Sequence, residues 1–385
     1  MRRKMPTATA KVTPDLLSWA RERAQLSTAA LAKRSGLPKE EKIIAWEDGT
    51  LQPTFKQAQS FAKATHVPFG YLFLPEPPEE MLPIPDLRTV GSEPLEHPSA
   101  ELLEVVRQVM FRQAWYQDYM KAHYDDAKPV VGRLALDEPT QDIVADMRLV
   151  LGIPAVPATG NWEKYARQLV QCIEAQGILV MRSGIVGNNT HRPLSVREFR
   201  GFAISDQTAP VIFINAADAP QARLFTLIHE LAHIWLGISG VSDGKHNSHR
   251  QEEKVCNAVA AEFLVPTEAF LAIWDSKLGS WRDNLAPIAA QFHVSQWVVT
   301  RKALDNKLIS AEQYGQYTKE ILDKYRDKKD GGGSFYRGLK GKISERFSVA
   351  VLTETLSGRT LYRDASRLLG VKPAMLNYYA KELGF

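Results

Sequence analysis

Apolar residues recur at helical spacing along most of the chain, and this pattern predicts a mainly helical protein. Between residues 15 and 75 the periodic segments are short, and we expect five helices there, the first around Leu16 and a later one around Phe61. Residues 1–14 contain two prolines and show no hydrophobic period. They are therefore predicted to be a flexible tail.

A proline-rich break after Leu74 separates this stretch from the rest of the chain, since each proline removes a backbone donor. We interpret 76–159 as an extended linker followed by helices, with Ser99 capping the first of them. Helices are predicted at 100–124, 139–151, 161–176, 221–237, 250–264, 266–277, 283–292 and 295–305. The glycine run that begins at Gly331 indicates a linker, and three short helices are expected after it.

Strand patterns occur only in the middle of the chain. The segments GILVM (177–181), FRGFAI (199–204) and VIFIN (211–215) are short, rich in β-branched and aromatic residues, and bounded by turn formers. We expect them to form a small antiparallel sheet.

The fold class is therefore α+β and mostly α. The predicted order is a tail (1–14), a five-helix N-terminal domain (15–75), a linker with helices (76–159), a central domain with the sheet (160–275), a helical extension (276–330) and a basic helical C-terminal region (331–385).

Composition narrows the class of protein. At 385 residues the chain is too long for a single core, so several domains are expected. Its two cysteines, Cys172 and Cys256, exclude a disulfide framework and a cysteine-rich zinc module. No apolar run approaches the roughly 20 residues of a membrane span, and no apolar stretch follows the basic N-terminus. We therefore expect a cytoplasmic protein with no membrane partner.

The formal net charge of +4 conceals an uneven distribution. Residues 1–75 hold 12 Lys and Arg against 6 Asp and Glu, and residues 321–385 hold 13 against 7. The intervening 76–320 hold 23 against 31. Basic ends around an acidic middle suggest that the parts have different partners.

The segment His229-Glu230-Leu231-Ala232-His233 carries the clearest chemistry. On a helix, residues four apart share a face, so both imidazoles can reach one metal ion. Glu230 would then lie beside them, where it can activate a water molecule. Gly237 is a plausible end for this helix.

A third ligand must come from another segment, and we expect it to be Glu253, on the next predicted helix. Asn257, one turn later, suits a partner that orients a ligand histidine. Two histidines and a glutamate are the donors of a catalytic zinc site with one position open, so the predicted cofactor is Zn²⁺. Four other residues stay open as alternative ligands: Glu252, Glu262, His246 and His249.

Together these residues resemble the ImmA/IrrE family of metallopeptidases. The similarity rests on FRGFAI, on the strand Pro210–Asn215, on the HELAH helix and on the stretch from Glu253 to Pro266, and it covers about 160–275. It implies a small sheet with helices, thermolysin-like zinc ligation and hydrolysis of a specific protein by Glu230-assisted attack of water. A donor for the developing oxyanion is expected in 182–200, where His191, Arg192 and Arg200 are candidates.

Residues 15–65 resemble a helix-turn-helix domain of the phage-repressor (XRE) type. The similarity is carried by LLSWARERAQLSTAALAKRSGL followed by KIIAWEDGTLQPTFKQAQSFAKA. It implies a recognition helix that starts near Pro38. Four basic residues could then contact DNA phosphates: Lys33, Arg34, Lys39 and Lys42. Glu40 and Glu41, at the start of that helix, oppose such contacts.

The resulting functional hypothesis is a zinc-dependent regulatory endopeptidase with a DNA-binding domain, which cleaves a repressor or another partner protein in a stress, phage or mobile-element response. The alternative is an antitoxin-like repressor that binds a toxin-like partner and has weak or no peptidase activity. Both hypotheses include a protein partner and DNA, and both leave room for a homodimer.

Overall fold

The computed structural model describes residues 8–34, 36–84, 89–90, 93–94, 98–124, 130–157, 161–242, 251–325 and 341–385. The chain divides into two compact units. The first comprises 1–82 with 96–104, and the second comprises 83–95 with 105–385. The predicted linker at 331–340 lies outside the described residues.

The N-terminal unit contains the five expected helical segments, although two of them are only five residues long. They are α1 (Pro14–Arg23), α2 (Thr28–Ala32), α3 (Glu40–Glu47), α4 (Phe55–Thr65) and a 3₁₀ segment (Phe69–Phe73). Thr54 begins α4 with a capping box, in which its hydroxyl accepts from the Gln57 N–H and the Gln57 side chain accepts from the Thr54 N–H. Trp46 and Phe61 meet edge to face in the core of this unit.

The described part of the predicted tail belongs to the fold. Ala10 and Val12 are buried in the core of the unit, and the Ala10 N–H donates to the Pro53 carbonyl at 2.8 Å. Two apolar residues that alternate with polar ones form an extended segment, which has no helical period. The sequence interpretation of 8–14 as flexible is therefore wrong.

The second unit is built around a four-stranded sheet. Its strands are β3 (Leu179–Ser183), β4 (Gly201–Ile204), β5 (Val211–Asn215) and β6 (Gly240–Ser242). The spatial order is β3-β5-β4-β6. A separate two-stranded ladder joins β1 (Thr89–Val90) to β2 (Glu93–Pro94).

The sheet is mixed, which corrects the expected antiparallel arrangement. β4 pairs antiparallel with β5 and β6, whereas β3 runs parallel to β5. All five residues of β5 are buried, as expected for a central strand covered on both faces.

Twelve helices complete the described part of the chain after residue 98. They are α5 (Ala100–His123), α6 (Thr140–Leu151), α7 (Trp162–Ala175), α8 (Pro220–Trp235), α9 (Gln251–Leu264), α10 (Thr267–Ile273), α11 (Leu285–Phe292), α12 (Gln296–Asp305), α13 (Ala311–Tyr325), α14 (Glu345–Leu356), α15 (Tyr362–Leu369) and α16 (Leu376–Glu382). Ser99 caps α5 as expected, with its hydroxyl accepting from the Leu102 N–H at 3.1 Å. The helix α13 was not among the helices predicted from the sequence pattern.

The core of this unit includes residues from Val130 to Tyr317. The helical segments on either side of the predicted central domain therefore share its hydrophobic interior. Helix α8 packs against β4 and β5 of the sheet. Every residue of α8 from 224 to 235 is buried. Helix α8 begins at Pro220, and Gly237, which follows its end, has a φ of 71°. The Trp235 indole N–H donates a hydrogen bond to the Asp146 carboxylate on α6 at 2.7 Å.

Among the described helices, none has by itself the length and apolar character needed to cross a membrane. One bent pair, α9 with α10, meets those criteria jointly, by length and composition only.

Candidate metal centre

The middle of α8 brings His229, Glu230 and His233 into the interior. Each of these side chains is at most 1% exposed. Since His229 and His233 are one helical turn apart, their rings face the same region, with their Nε2 atoms 3.2 Å apart.

Helix α9 packs against α8 and places Glu253 opposite this pair. Its Oε1 lies 3.1 Å from His233 Nε2, and its Oε2 lies 3.3 Å from His229 Nε2. The sequence-predicted third ligand therefore joins the two histidines, and the ligand atoms of all three residues lie within 4.8 Å of one another.

The dimensions of this triangle suit a zinc ion. Zinc bonds to histidine and carboxylate ligands are about 2.0–2.1 Å long, so the edge of a tetrahedron around the ion is about 3.3 Å. The two Nε2 atoms are 3.2 Å apart, and each lies at a similar distance from one of the two Glu253 oxygens, Oε1 at 3.1 Å and Oε2 at 3.3 Å, so the separations are close to this edge. The donors thus fit a metal ion with three protein ligands and a fourth position for water.

Glu230 lies beside the triangle in an apolar environment. Burial raises the pKa of its carboxyl group to about 8, although His229 acts in the opposite direction. Ser242 also acts to lower this pKa. A carboxylate of this kind is suited to gain and lose a proton near neutral pH.

Gly201 on β4 provides the space that Glu230 occupies. A Cβ atom at this position would lie 2.7 Å from Glu230 Oε1 and 2.9 Å from the Phe213 carbonyl oxygen on β5. The sheet can therefore approach the glutamate this closely only where a side chain is missing.

The ligand residues shift one another's pKa values. Burial lowers the pKa of His233. It acts in the same direction on His229, but the Glu253 carboxylate outweighs it and the pKa of His229 is raised. Burial acts to raise the pKa of Glu253, yet the two histidines hold it well below its ordinary value. The carboxylate is thus ready to bind a cation without first losing a proton.

Three further residues surround the cluster. Asn257, on α9, acts to raise the pKa of His229. Ser242, on β6, donates its hydroxyl to Glu253 Oε1 at 3.2 Å and was not identified from the sequence. The thiol of Cys256 is fully buried on α9, and burial and the neighbouring carboxylates raise its pKa well above the ordinary value.

The structure also places the alternative ligands. Glu252 is partly exposed and outside the cluster. Glu262 instead accepts hydrogen bonds from the N–H and hydroxyl of Thr267 and pairs with Lys302, so it joins α9, α10 and α12. His246 and His249 lie outside the described residues.

The structure gives contacts for each of the candidate oxyanion donors. Arg200 pairs with Asp218 at 3.3 Å, and His191 is exposed. Arg192 belongs to a turn in which its carbonyl accepts from the Val186 N–H. Nor is the VIFIN segment free to pair with an extended peptide, because β5 has neighbours on both edges.

In the N-terminal unit, the four basic residues named as DNA contacts are all exposed around α2 and α3: Lys33, Arg34, Lys39 and Lys42. The Glu40 carboxylate accepts a hydrogen bond from the Thr28 hydroxyl at 2.6 Å. This contact ties Glu40 to α2, whereas Glu41 is exposed.

Comparison with known proteins agrees with the geometry of the second unit. Residues 343–382 match a domain of unknown function (DUF8813). No curated protein matches the chain. Residues 173–303 match the Peptidase_M78 family model, described as the IrrE N-terminal-like domain, and this region contains the sheet, the HELAH helix and all three members of the ligand triangle.

Proposed function

We propose that the second unit is a zinc-dependent endopeptidase that cleaves a specific protein. The observation that carries this proposal is the buried triangle of His229, His233 and Glu253, with the Glu230 carboxylate beside it. The similarity of residues 173–303 to a peptidase family supports the same conclusion.

When bound by these three residues, a zinc ion supplies a Lewis acid that activates water and polarises the scissile carbonyl. Glu230 accepts the proton of the attacking water on a carboxylate oxygen and returns it to the leaving amine. Burial acts to raise the pKa of this carboxyl group, which favours its holding the proton between the two transfers. Ser242 holds Glu253 in place, and Asn257 orients His229.

The burial of the site favours a selective enzyme. Since His229, Glu230, His233 and Glu253 are at most 1% exposed, a peptide reaches them only after the surrounding elements separate. A general protease needs an open cleft, whereas a regulated one can remain closed until its partner or signal opens it.

The test combines metal analysis with detection of cleavage. Purified full-length protein should contain about one zinc per chain, and Glu230→Gln should keep the metal but lose hydrolysis. Glu253→Gln should lose most of the metal, and Glu252→Gln, which changes the adjacent acid, is the matched control and should keep it. Cleavage is measured as new protein N-termini, identified by mass spectrometry, in an extract of the source cells.

Two results would contradict the proposal: full zinc content in Glu253→Gln, or the same new N-termini with wild type and Glu230→Gln. A metal-loaded wild type that produces no new N-termini would favour the antitoxin-like alternative, in which the domain binds a partner without cutting it.

We also propose that the N-terminal unit binds DNA. Four exposed basic residues surround α2 and α3, and the Glu40 carboxylate is engaged by Thr28. Because phosphate contacts release counterions, Lys39→Gln with Lys42→Gln should weaken binding to the protein's own promoter and reduce its salt dependence. Lys56→Gln with Lys63→Gln, which changes two exposed lysines on α4, is the matched control in a gel-shift assay. No retardation of wild type at low salt would refute this part of the proposal.

A further inference from the structure

A narrow crevice lies between the C-terminal helices and the peptidase-like part of the second unit. Its walls come from α5, from the end of β3 with the following loop, and from the segment 342–343 and the end of α15. Hydrogen bonds fix these walls together: the Arg182 N–H donates to the Lys342 carbonyl, and the Asn188 side chain donates to the Gly370 carbonyl, both at 2.8 Å. The crevice is thus a formed feature of this unit.

The charged residues of this crevice are all basic. Arg112, Arg182 and Lys342 line it, and no acidic residue is among the described residues of its walls. Burial lowers the pKa of each of these three groups. Concentrating positive charge in a partly enclosed space costs free energy unless an anion compensates it.

The side chain of Arg112 gives the strongest indication that the crevice binds an anion. Its Nε donates to the Leu368 carbonyl at 2.8 Å, at the end of α15. Among the described residues, no carboxylate pairs with this guanidinium and no acceptor is bonded to its two terminal nitrogens. Burial, which is the cause of the shift, lowers the pKa of Arg112 to about 10. Its terminal nitrogens are therefore available as donors at the crevice.

Arg182 adds a second guanidinium-bearing residue to the lining of the crevice. Its Nε donates to the Gly341 carbonyl, and the nearby Arg223 lowers its pKa further. The acidic residue that acts on Arg182 is Glu174, but this carboxylate accepts from the backbone N–H groups of Val180 and Arg346. Glu174 itself is not among the residues that line the crevice.

The volume of the crevice is suited to a small anionic group. The crevice has a volume of about 50 Å³, which is room for about four water-sized atoms at 10–15 Å³ each. A phosphate group has four oxygens, and arginine guanidinium groups recognise it well through charge-assisted hydrogen bonds. We propose that this crevice binds the phosphoryl group of inorganic phosphate or of a small phosphomonoester.

A neighbouring cavity has space for the remainder of an organic ligand. It measures about 930 Å³, shares Arg182 and Ile343 with the crevice, and is lined on one side by Tyr116 and Tyr119. Its walls also include Glu174 and Glu345 together with Arg167 and Arg346, so they offer both signs of charge to the organic part of a phosphorylated metabolite.

The experiment titrates inorganic phosphate into the full-length protein at constant ionic strength and measures binding by calorimetry and the thermal unfolding midpoint. Phosphate should raise the midpoint above that in chloride, since a ligand of the folded state stabilises it. Arg112→Gln should weaken phosphate binding at least about tenfold. Arg363→Gln, which removes an exposed arginine from α15, is the matched control and should bind like wild type.

Lys342→Gln removes a second positive charge from the same crevice. Because Lys342 is only half-buried, this variant tests phosphate binding if Arg112→Gln does not fold. The proposal is overturned if phosphate has no effect on wild type, or if Arg112→Gln and Lys342→Gln both retain wild-type affinity. A parallel titration with glycerol 3-phosphate distinguishes the two sources of the phosphoryl group. Tighter binding than inorganic phosphate identifies a phosphomonoester as the ligand, and weaker binding identifies free phosphate.

Discussion

Substitution of Gly201 by alanine is a sharp test of how the sheet and the HELAH helix fit together. Its added methyl group would lie 2.7 Å from Glu230 Oε1, 2.7 Å from Thr226 Cγ2 and 2.9 Å from the Phe213 carbonyl oxygen. Carbon atoms in proteins normally approach to about 3.5–4.0 Å. Because Thr226 belongs to α8 and the Phe213 carbonyl to β5, the methyl group fits only if the helix or the sheet moves.

The expected cost follows from these three contacts. Overpacking a core by one methyl group costs about 1–3 kcal/mol, whereas replacing glycine with alanine returns about 0.4–1 kcal/mol through the unfolded chain. We therefore expect Gly201→Ala to lower the free energy of unfolding by about 1–2 kcal/mol. Glu230 should also be displaced, so hydrolysis should fall more than zinc content does.

Urea denaturation of the full-length protein, with zinc analysis of the same samples, measures both effects. Gly315→Ala is the matched control, since nothing lies within 4 Å of the added methyl group and Gly315 is exposed on α13. This control should gain up to about 1 kcal/mol from helix propensity. Equal stability of the two variants would refute the close approach of Gly201 to Glu230.

Three further predictions concern the site and its supports. Asn257→Ala should weaken zinc binding by about 10–100-fold in a chelator competition, because the His229 ring loses its orienting partner; unchanged affinity would rule out that role. Removing the metal with a chelator should lower the thermal midpoint of wild type but not of His229→Ala, and an equal drop in both would place the metal elsewhere. Burial acts to raise the pKa of Glu262, but Lys302 and Thr267 hold it below its ordinary value of 4.5, so their contacts stabilise the fold above that pH and are lost as the pH falls through the lowered pKa. Stability of Glu262→Gln, measured against pH, should consequently fall less on the acidic side than that of wild type, and parallel curves would contradict this assignment.

The helices and the ligand triangle follow from local information. The spacing of apolar residues predicted the bounds of α5 and α8 to within two residues. Since His229 and His233 are four residues apart, they lie on the same face of a helix. Glu253 could be chosen over Glu252 because adjacent residues on a helix point about 100° apart. The histidine pair needs only the geometry of a single helix, whereas the choice of Glu253 also requires that two helices pack together.

What the sequence did not reveal depends on contacts between distant segments. β6 has only three residues, too few for an alternating pattern, yet it carries Ser242 to the ligand Glu253. The parallel pairing of β3 with β5 is decided by where β4 inserts, and no local pattern records this. Gly201 has no left-handed backbone angle to explain it, and its role emerges only from the position of Glu230.

Because Cys256 is buried beside the metal-ligand cluster, the rate at which a thiol reagent labels it measures how often the site opens. The other cysteine, Cys172, is partly exposed, so an alkylating reagent should modify it first. Cys256 is fully buried on the helix that carries Glu253 and reacts only when its surroundings separate. The slow second phase of labelling would then report how often α9 exposes its inner face. A partner or signal that opens the site would reveal itself by accelerating that phase, even before its substrate is known.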